Sequence, residues 1–298
     1  MTTDNSPRLI DHLVFPVTDI AIARERFEKL GFVVAPDGLH PFGTENCCVF
    51  FPDGTFIEPI GIAQRETTEI AAAKGNTMVQ AVLAYRFRRG VEGFSHVVLK
   101  TADASADHKA FTKLAMSAGK MVRFGRSFET PEGEKGRVSF KLAFAGDKRA
   151  PDAQFFSCEV VNPPKVDRSP LYAHANGAVR LKEIVIAEPN PSDFQYFLQD
   201  LFGVREMDNH SFGIEIVTGN AKVSVLSAAG VKAFLGLDID ERERGLRHTA
   251  AVLGVKDLAK TKALLESAGV ETIEKPGRII VAPEIGQGAA IAFEEDAS

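Results

Sequence analysis

Cysteine is scarce. The chain of 298 residues holds three, with Cys47 and Cys48 adjacent and Cys158 alone, so neither a disulfide framework nor a cysteine-built zinc site is spelled out and a reducing compartment is expected. Charge of one sign is also missing. The 35 basic and 40 acidic residues leave a formal net charge of -5, which excludes the electrostatic footprint of a binder of nucleic acid or of an acidic membrane. No stretch approaches the roughly 20 apolar residues that span a bilayer. The polar start from Met1 to Arg8 lacks the basic-then-apolar order of a secretory signal. The expectation is a soluble, cytoplasmic protein whose partner is a small molecule.

Apolar material is plentiful: 45% of residues are hydrophobic and 22 are Phe, enough for two full cores at about 150 residues each. One pattern recurs four times: a short apolar strand, an Asp or Asn at a helix start, an amphipathic helix, and a Gly after it. The first copy has strand Leu9 to Val17, cap Asp19, helix Ile20 to Leu30 and Gly31. The second has Phe94 to Lys100, Asp103, helix Asp107 to Ser117 and Gly119. The third has Leu181 to Ala187, Asn190 with Pro191 in the first turn, a helix to Phe202, and Gly203. The fourth has His248 to Val255, Asp257, Leu258 to Ser267 and Gly269. Short strands follow each helix and end in an apolar one: Thr55 to Ile60, Gln154 to Val161, Lys222 to Leu226 and Ala289 to Phe293. Each copy is a βαβββ unit that cannot bury its sheet face alone, so units must pair.

The predicted class is therefore α+β, with four units paired into two cup-shaped mixed-sheet domains, 1–165 and 178–298. The Pro-rich stretch Asn162 to Asn176 lies between them, with 166–177 as the linker proper. The segment Gln64 to Arg89 joins the first two units and is expected to contain a helix. Pairing within the chain is the simpler arrangement, and exchange of units in a homodimer is the other.

Overlaying the four first strands places His12, His96, Glu183 and His248 at one position. The closing strands place Glu58 and Glu159 together in the first pair of units, against Val223 or Val225 and Ala292 in the second. Residues two apart on a strand share a face, so these are polar groups on apolar faces, where an unpaired carboxylate is costly and two facing carboxylates repel. A divalent cation held by His12, Glu58, His96 and Glu159 would resolve this, and nitrogen and oxygen ligands without thiolate suit Zn, Ni, Co, Mn or Fe(II). The plain alternative is two ion pairs, His12 with Glu58 and His96 with Glu159.

The repeated unit, with His or Glu on its outer strands, resembles the vicinal oxygen chelate superfamily over most of the chain. More narrowly, Ile10-Asp11-His12-Leu13-Val14, Leu30-Gly31-Phe32, the loop His40-Pro41-Phe42-Gly43-Thr44-Glu45-Asn46 and Thr55-Phe56-Ile57-Glu58-Pro59 resemble glyoxalase-like domain proteins. The resemblance implies a cup around a metal ion bound by His12, Glu58, His96 and Glu159. The C-terminal pair keeps Glu183 and His248 without closing-strand carboxylates and reads as degenerate.

Three functions follow. In the first, neighbouring oxygens of a small substrate chelate the ion, with Glu159 or Glu58 as the base of a lyase or isomerase. The second is an extradiol-type dioxygenase with Fe(II). The third is a metal-free binding or resistance protein that uses the cup as a pocket. His40, Thr44, Glu45 and Asn46 are candidate substrate contacts, since binding groups concentrate on loops. Arg123, Arg126 and Arg137 are candidates to clamp a carboxylate at the cup mouth.

Overall fold

The computed structural model describes residues 6–129, 135–163 and 166–296. Residues 1–5 of the polar start and 164–165 beside the linker lie outside it. The first unit comprises β1 (Ile10–Pro16), α1 (Ile20–Lys29), β2 (Gly38–Leu39), β3 (Thr44–Asn46), β4 (Val49–Phe50) and β5 (Phe56–Ile62), one short strand more than expected. Two helices, α2 (Arg65–Ala73) and α3 (Thr77–Arg89), lead to the second unit of β6 (His96–Lys100), α4 (Ala104–Lys113), β7 (Val122–Glu129), β8 (Lys135–Ala145) and β9 (Gln154–Val160). The third unit has β10 (Ala178–Ala187), α5 (Gln195–Phe202), β11 (Asp208–His210), β12 (Gly213–Val217) and β13 (Lys222–Leu226), and α6 (Ala228–Leu235) follows it. The fourth has β14 (Arg247–Val255), α7 (Leu258–Ser267), β15 (Ile273–Lys275), β16 (Arg278–Val281) and β17 (Ala290–Glu295).

The caps work as their chemistry demands. The carboxylates of Asp19, Asp103 and Asp257 each accept from backbone N–H groups of the first turn, satisfying donors that a helix leaves open. Two expected helices differ. The second runs from Ala104 to Lys113, because Ala115, at φ 56°, reverses the chain before Gly119. The third opens on a 3-10 turn, Pro191–Phe194, before α5.

Units pair within the chain. The first sheet has the order β2-β3-β5-β1-β6-β9-β8-β7 with β4 on β5, and the second has β11-β12-β13-β10-β14-β17-β16-β15. Each forms a nearly closed cup, joined at its centre by an antiparallel pair, β1 with β6 and β10 with β14.

Alternation sends one face of each sheet into a shared core. Leu13, Phe15, Val97 and Phe155 meet Ile184, Ile186, Leu253 and Phe293 there, together with Phe27 of α1, Phe111 of α4, Leu198 of α5 and Leu265 of α7. Truncating one such buried Phe to Ala costs about 3–5 kcal/mol. The opposite faces line the two cups. Met78 and Val82 of α3 pack on Val14, Ile60, Val98 and Phe156 in the first, and Val231 and Leu235 of α6 pack on Val185, Ala250 and Val252 in the second. A bulge between Ile10 and His12 turns Ile10 into the shared core while His12 faces the cup, so the two do not share a face as strict alternation predicts. No helix among the described residues is long and apolar enough to cross a membrane.

Candidate active site in the first cup

Strands β1 and β5 run parallel, with His12 opposite Phe56 and Val14 opposite Glu58. The imidazole of His12 lies flat on the Phe56 ring, with centroids 4.2 Å apart. Its Nδ1 is 2.6 Å from Asp11 Oδ2, and its Nε2 is 3.3 Å from Glu58 Oε2. The other oxygen of Glu58 accepts from Asn46 Nδ2 at 2.5 Å, and His40 Nε2 lies 3.8 Å from it. The Nδ1 of His40 is 3.0 Å from Thr44 Oγ1, and its ring stacks on Phe42. Arg126, from β7, donates to Asn46 Oδ1 at 3.2 Å. Asn46 is thus oriented by charge on both sides, its NH₂ toward a carboxylate and its oxygen toward a guanidinium.

The cluster is buried, with His12 at 5% and Glu58 at 7% exposure. Burial works against a charged imidazole, but the bonds to Asp11 and Glu58 outweigh it, and the pKa of His12 rises to about 9. Burial would likewise raise Glu58, yet the hydrogen bond and charge of His12, with help from His40 and Asn46, bring it to about 2. His40 is pushed down by burial and by the charges of Arg126 and His12. The arrangement is an Asp11–His12–Glu58 chain with its proton on the imidazole.

The other expected ligands do not join it as foreseen. His96 is fully buried in β6, with Nδ1 2.7 Å from Ser95 Oγ and its ring edge-on to Phe156. Its Nε2 has no partner among the described residues. Burial and the neighbouring His248 lower its pKa to about 3. Glu159 lies on the other face of β9. One of its oxygens takes Lys141 Nζ at 2.7 Å and the other the Ala104 N–H at 3.0 Å, which places it at the start of α4.

Strand register gives the reason. In the first unit His12 faces Phe56 and Val14 faces Glu58. In the second, His96 faces Gln154 and Val98 faces Phe156. Phe156 therefore holds the place of Glu58, and Glu159, three residues on, points away. The expected pairing of His96 with Glu159 is absent for the same reason.

Among the candidate loop contacts, His40, Thr44 and Asn46 face the cup. Glu45, between two inward residues, packs beside Gly61 on the opposite face. Of the three arginines only Arg126 alternates inward, opposite Val138, whereas Arg123 and Arg137 fall on the outer face.

In the second cup the same register puts Ala250, not His248, in the place of His96, because Ala250 faces Val185 as His96 faces Val14. Glu183 is there tied to Arg278 and Ser224, each at 2.5 Å, beside a cavity of about 440 Å³.

A four-ligand metal centre does not fit these residues. A phenyl ring occupies the fourth position, Glu159 is engaged elsewhere, and both nitrogens of His12 face carboxylates. Among the described residues no three His, Cys, Asp or Glu side chains come together in a way that could hold a cation. Sequence reasoning missed Asp11, whose carboxylate bends to its neighbour's ring beside the bulge, and it missed Phe156.

Two cups of paired βαβββ units, the first with a buried His–Glu cluster, define a protein of the vicinal oxygen chelate fold. The model of the glyoxalase-like domain matches residues 10–202, and the chain belongs to that family. No curated protein matches it. Among solved structures it is similar to a hypothetical protein from Staphylococcus aureus, at 12% identity and a TM-score of 0.66, covering 96% of this chain and 99% of that one. It is also similar to a variant of 4-hydroxymandelate synthase from Streptomyces coelicolor, at 10% and 0.60, covering 98% and 94%. A Mn(II)-bound glyoxalase from Novosphingobium aromaticivorans matches at 10% and 0.53, covering 98% and 83%.

Proposed function

We propose that the first cup is the active site of an isomerase or lyase that moves a proton on a small substrate bearing neighbouring oxygens, with His12 as acid and Glu58 as base and no metal ion required. The observation that carries this is His12 held on an apolar face between two carboxylates, 2.6 Å from Asp11 and 3.3 Å from Glu58. A carbonyl oxygen that inserts at Nε2 takes the hydrogen bond from Glu58. Glu58 then loses the partner that depresses its pKa and becomes a competent base. It removes the proton from the carbon beside the carbonyl, the C–H electron pair becomes the carbon–carbon double bond, and the Nε2 proton passes to the oxygen to give an enediol. Return of the Glu58 proton to the former carbonyl carbon, with the proton of the other hydroxyl passing to the vacated His12 Nε2, completes an isomerisation. Asp11 steadies the imidazolium throughout, and Asn46 and His40 hold the second oxygen of Glu58.

The Mn(II)-bound glyoxalase among the similar structures favours a divalent ion, but Phe156 of β9 stands where a closing-strand carboxylate would be needed to complete a ligand set. The test is deuterium uptake from D₂O into a panel of 2-hydroxyketones and 2-hydroxyaldehydes, followed by NMR with chelator-treated protein. Exchange should persist without metal and fall at least about 100-fold in Glu58→Gln, the scale of one positioned acid–base group. Undiminished exchange in that variant, or activity only after Mn(II) or Fe(II) is added, would overturn the assignment.

A further inference from the structure

The cup mouth holds a cation that the proton-transfer reading leaves unused. Arg126 reaches across from β7 to β2, and its Nη1 stands where a side chain at position 38 would begin: a Cβ on Gly38 would lie 2.0 Å from that nitrogen and 2.5 Å from Asn46 Oδ1. Strand β2 therefore leaves room for this guanidinium, and only glycine does so. A guanidinium offers five N–H donors, and one meets the neutral Asn46 oxygen at 3.2 Å. No carboxylate among the described residues pairs with it, although most of the other buried or half-buried arginines have one, as Arg180 has Asp296 and Arg278 has Glu183 and Glu294.

Beside it stands a flat apolar wall. Phe124 and Phe140 stack at 5.0 Å, Phe42 meets Phe124 edge-on at 5.2 Å, and Arg126 itself lies 5.9 Å from the Phe140 ring. Arg126 and Glu58 are one amide group apart, since Asn46 bonds to both.

We propose that Arg126 is the residue that recognises the substrate's carboxylate, and that the substrate is a carboxylic acid bearing a flat conjugated or aromatic group and an oxygen on the carbon next to the carboxyl-bearing one, with a removable C–H beside that oxygen-bearing carbon. The carboxylate replaces the weak amide acceptor with a charged, two-point one. The ring lies on Phe124 and Phe140, and the neighbouring oxygen falls toward His12 and Glu58. This rests on the first cup being the active site, but it concerns binding and is read separately from turnover.

Salicylate carries the carboxylate, the flat ring and the neighbouring oxygen but no exchangeable C–H, so it reads binding alone, and salicylamide has the same shape without the charge. Calorimetric titration of the full chain should show salicylate binding at least about tenfold more tightly than salicylamide, the scale of one charge-assisted bond. Arg126→Gln should remove that preference, Arg126→Lys should keep part of it, and Gly38→Ala should act like Arg126→Gln by blocking the seat. Glu58→Gln should retain the preference. Equal affinity of the wild type for the two probes, or a preference surviving in Arg126→Gln, overturns the assignment of Arg126. Loss of the preference in Arg126→Gln with full deuterium exchange in Glu58→Gln would instead sustain this inference and refute the proton-transfer reading.

Discussion

At the scale of the residue, His12 keeps a proton in a place where burial alone would expel it, because acceptors flank both ring nitrogens. Its folded pKa, about 9, lies above the unfolded value near 6.5. The stabilisation is therefore fully present below about pH 6.5 and is lost as pH rises through 9, on the order of 3 kcal/mol in all. Glu58 works in the other direction. Its folded pKa of about 2 lies below the unfolded value, so its contribution is present above pH 4.5 and is lost as pH falls through 2. Asp11→Asn should leave the fold intact and lower the pKa of His12 by at least about one unit, since it removes a charged partner. The imidazole proton resonances followed against pH measure this directly. A titration identical to that of the wild type would mean that Asp11 has no hold on the proton.

At the scale of the element, strand β9 decides what the cup can bind. The segment Phe155-Phe156-Ser157-Cys158-Glu159 is apolar on both faces, with Phe155 in the shared core and Phe156 and Cys158 in the cup. Polarity alternation along it therefore does not say to which side Glu159 turns. Only its pairing with β6 settles that, and ladder register is a tertiary fact. The helix caps and the repeat were legible because their signals are local: an Asp whose carboxylate meets N–H groups two or three residues on reads the same in sequence and in space. His12 and Glu58 were legible because the match between the first strand and the closing strand of one unit is short-range. Asp11 was not, because a bulge is needed to bring its carboxylate to the adjacent ring. The register makes a specific prediction. Phe156→Glu places a carboxylate opposite Val98 as Glu58 is opposite Val14, and in metal-free protein it should cost about 2–4 kcal/mol as a buried charge without a partner. Adding Mn(II) or Ni(II) should recover much of that loss as a rise in Tm, whereas the wild type should not respond. A variant as stable as the wild type and indifferent to both metals would show that position 156 does not face the two histidines.

At the scale of the whole molecule, the two cups share one interior, and a neutral histidine, His248, sits where the sheets meet, while a second, His96, lies in the first cup. His248 belongs to the second sheet, yet its ring packs at 4.7 Å on Phe94 and 5.0 Å on Phe155 of the first half. Burial pushes its pKa down to about 3, and neither ring nitrogen has a hydrogen-bond partner among the described residues. His96, close enough for their charges to interact, is lowered to the same level. His248 must stay neutral for the halves to remain packed and His96 for the first cup to do so, while in the unfolded chain each takes up a proton near pH 6.5. The unfolded state then binds more protons, so stability falls as pH drops below 6.5 and continues to fall until about 3, on the order of 5 kcal/mol for each ring. Acid should thus loosen the seam between the sheets before it neutralises Glu58, whose pKa lies lower. His248→Phe supplies an uncharged ring of similar shape to an aromatic slot. It should flatten the decline of Tm between pH 6.5 and 4 by about one proton's worth of slope and leave the alkaline limb governed by His12 unchanged. Thermal unfolding of the two proteins across that range decides the matter: parallel curves would place the acid-sensitive group elsewhere, and a flattened curve would locate it at the contact between the halves.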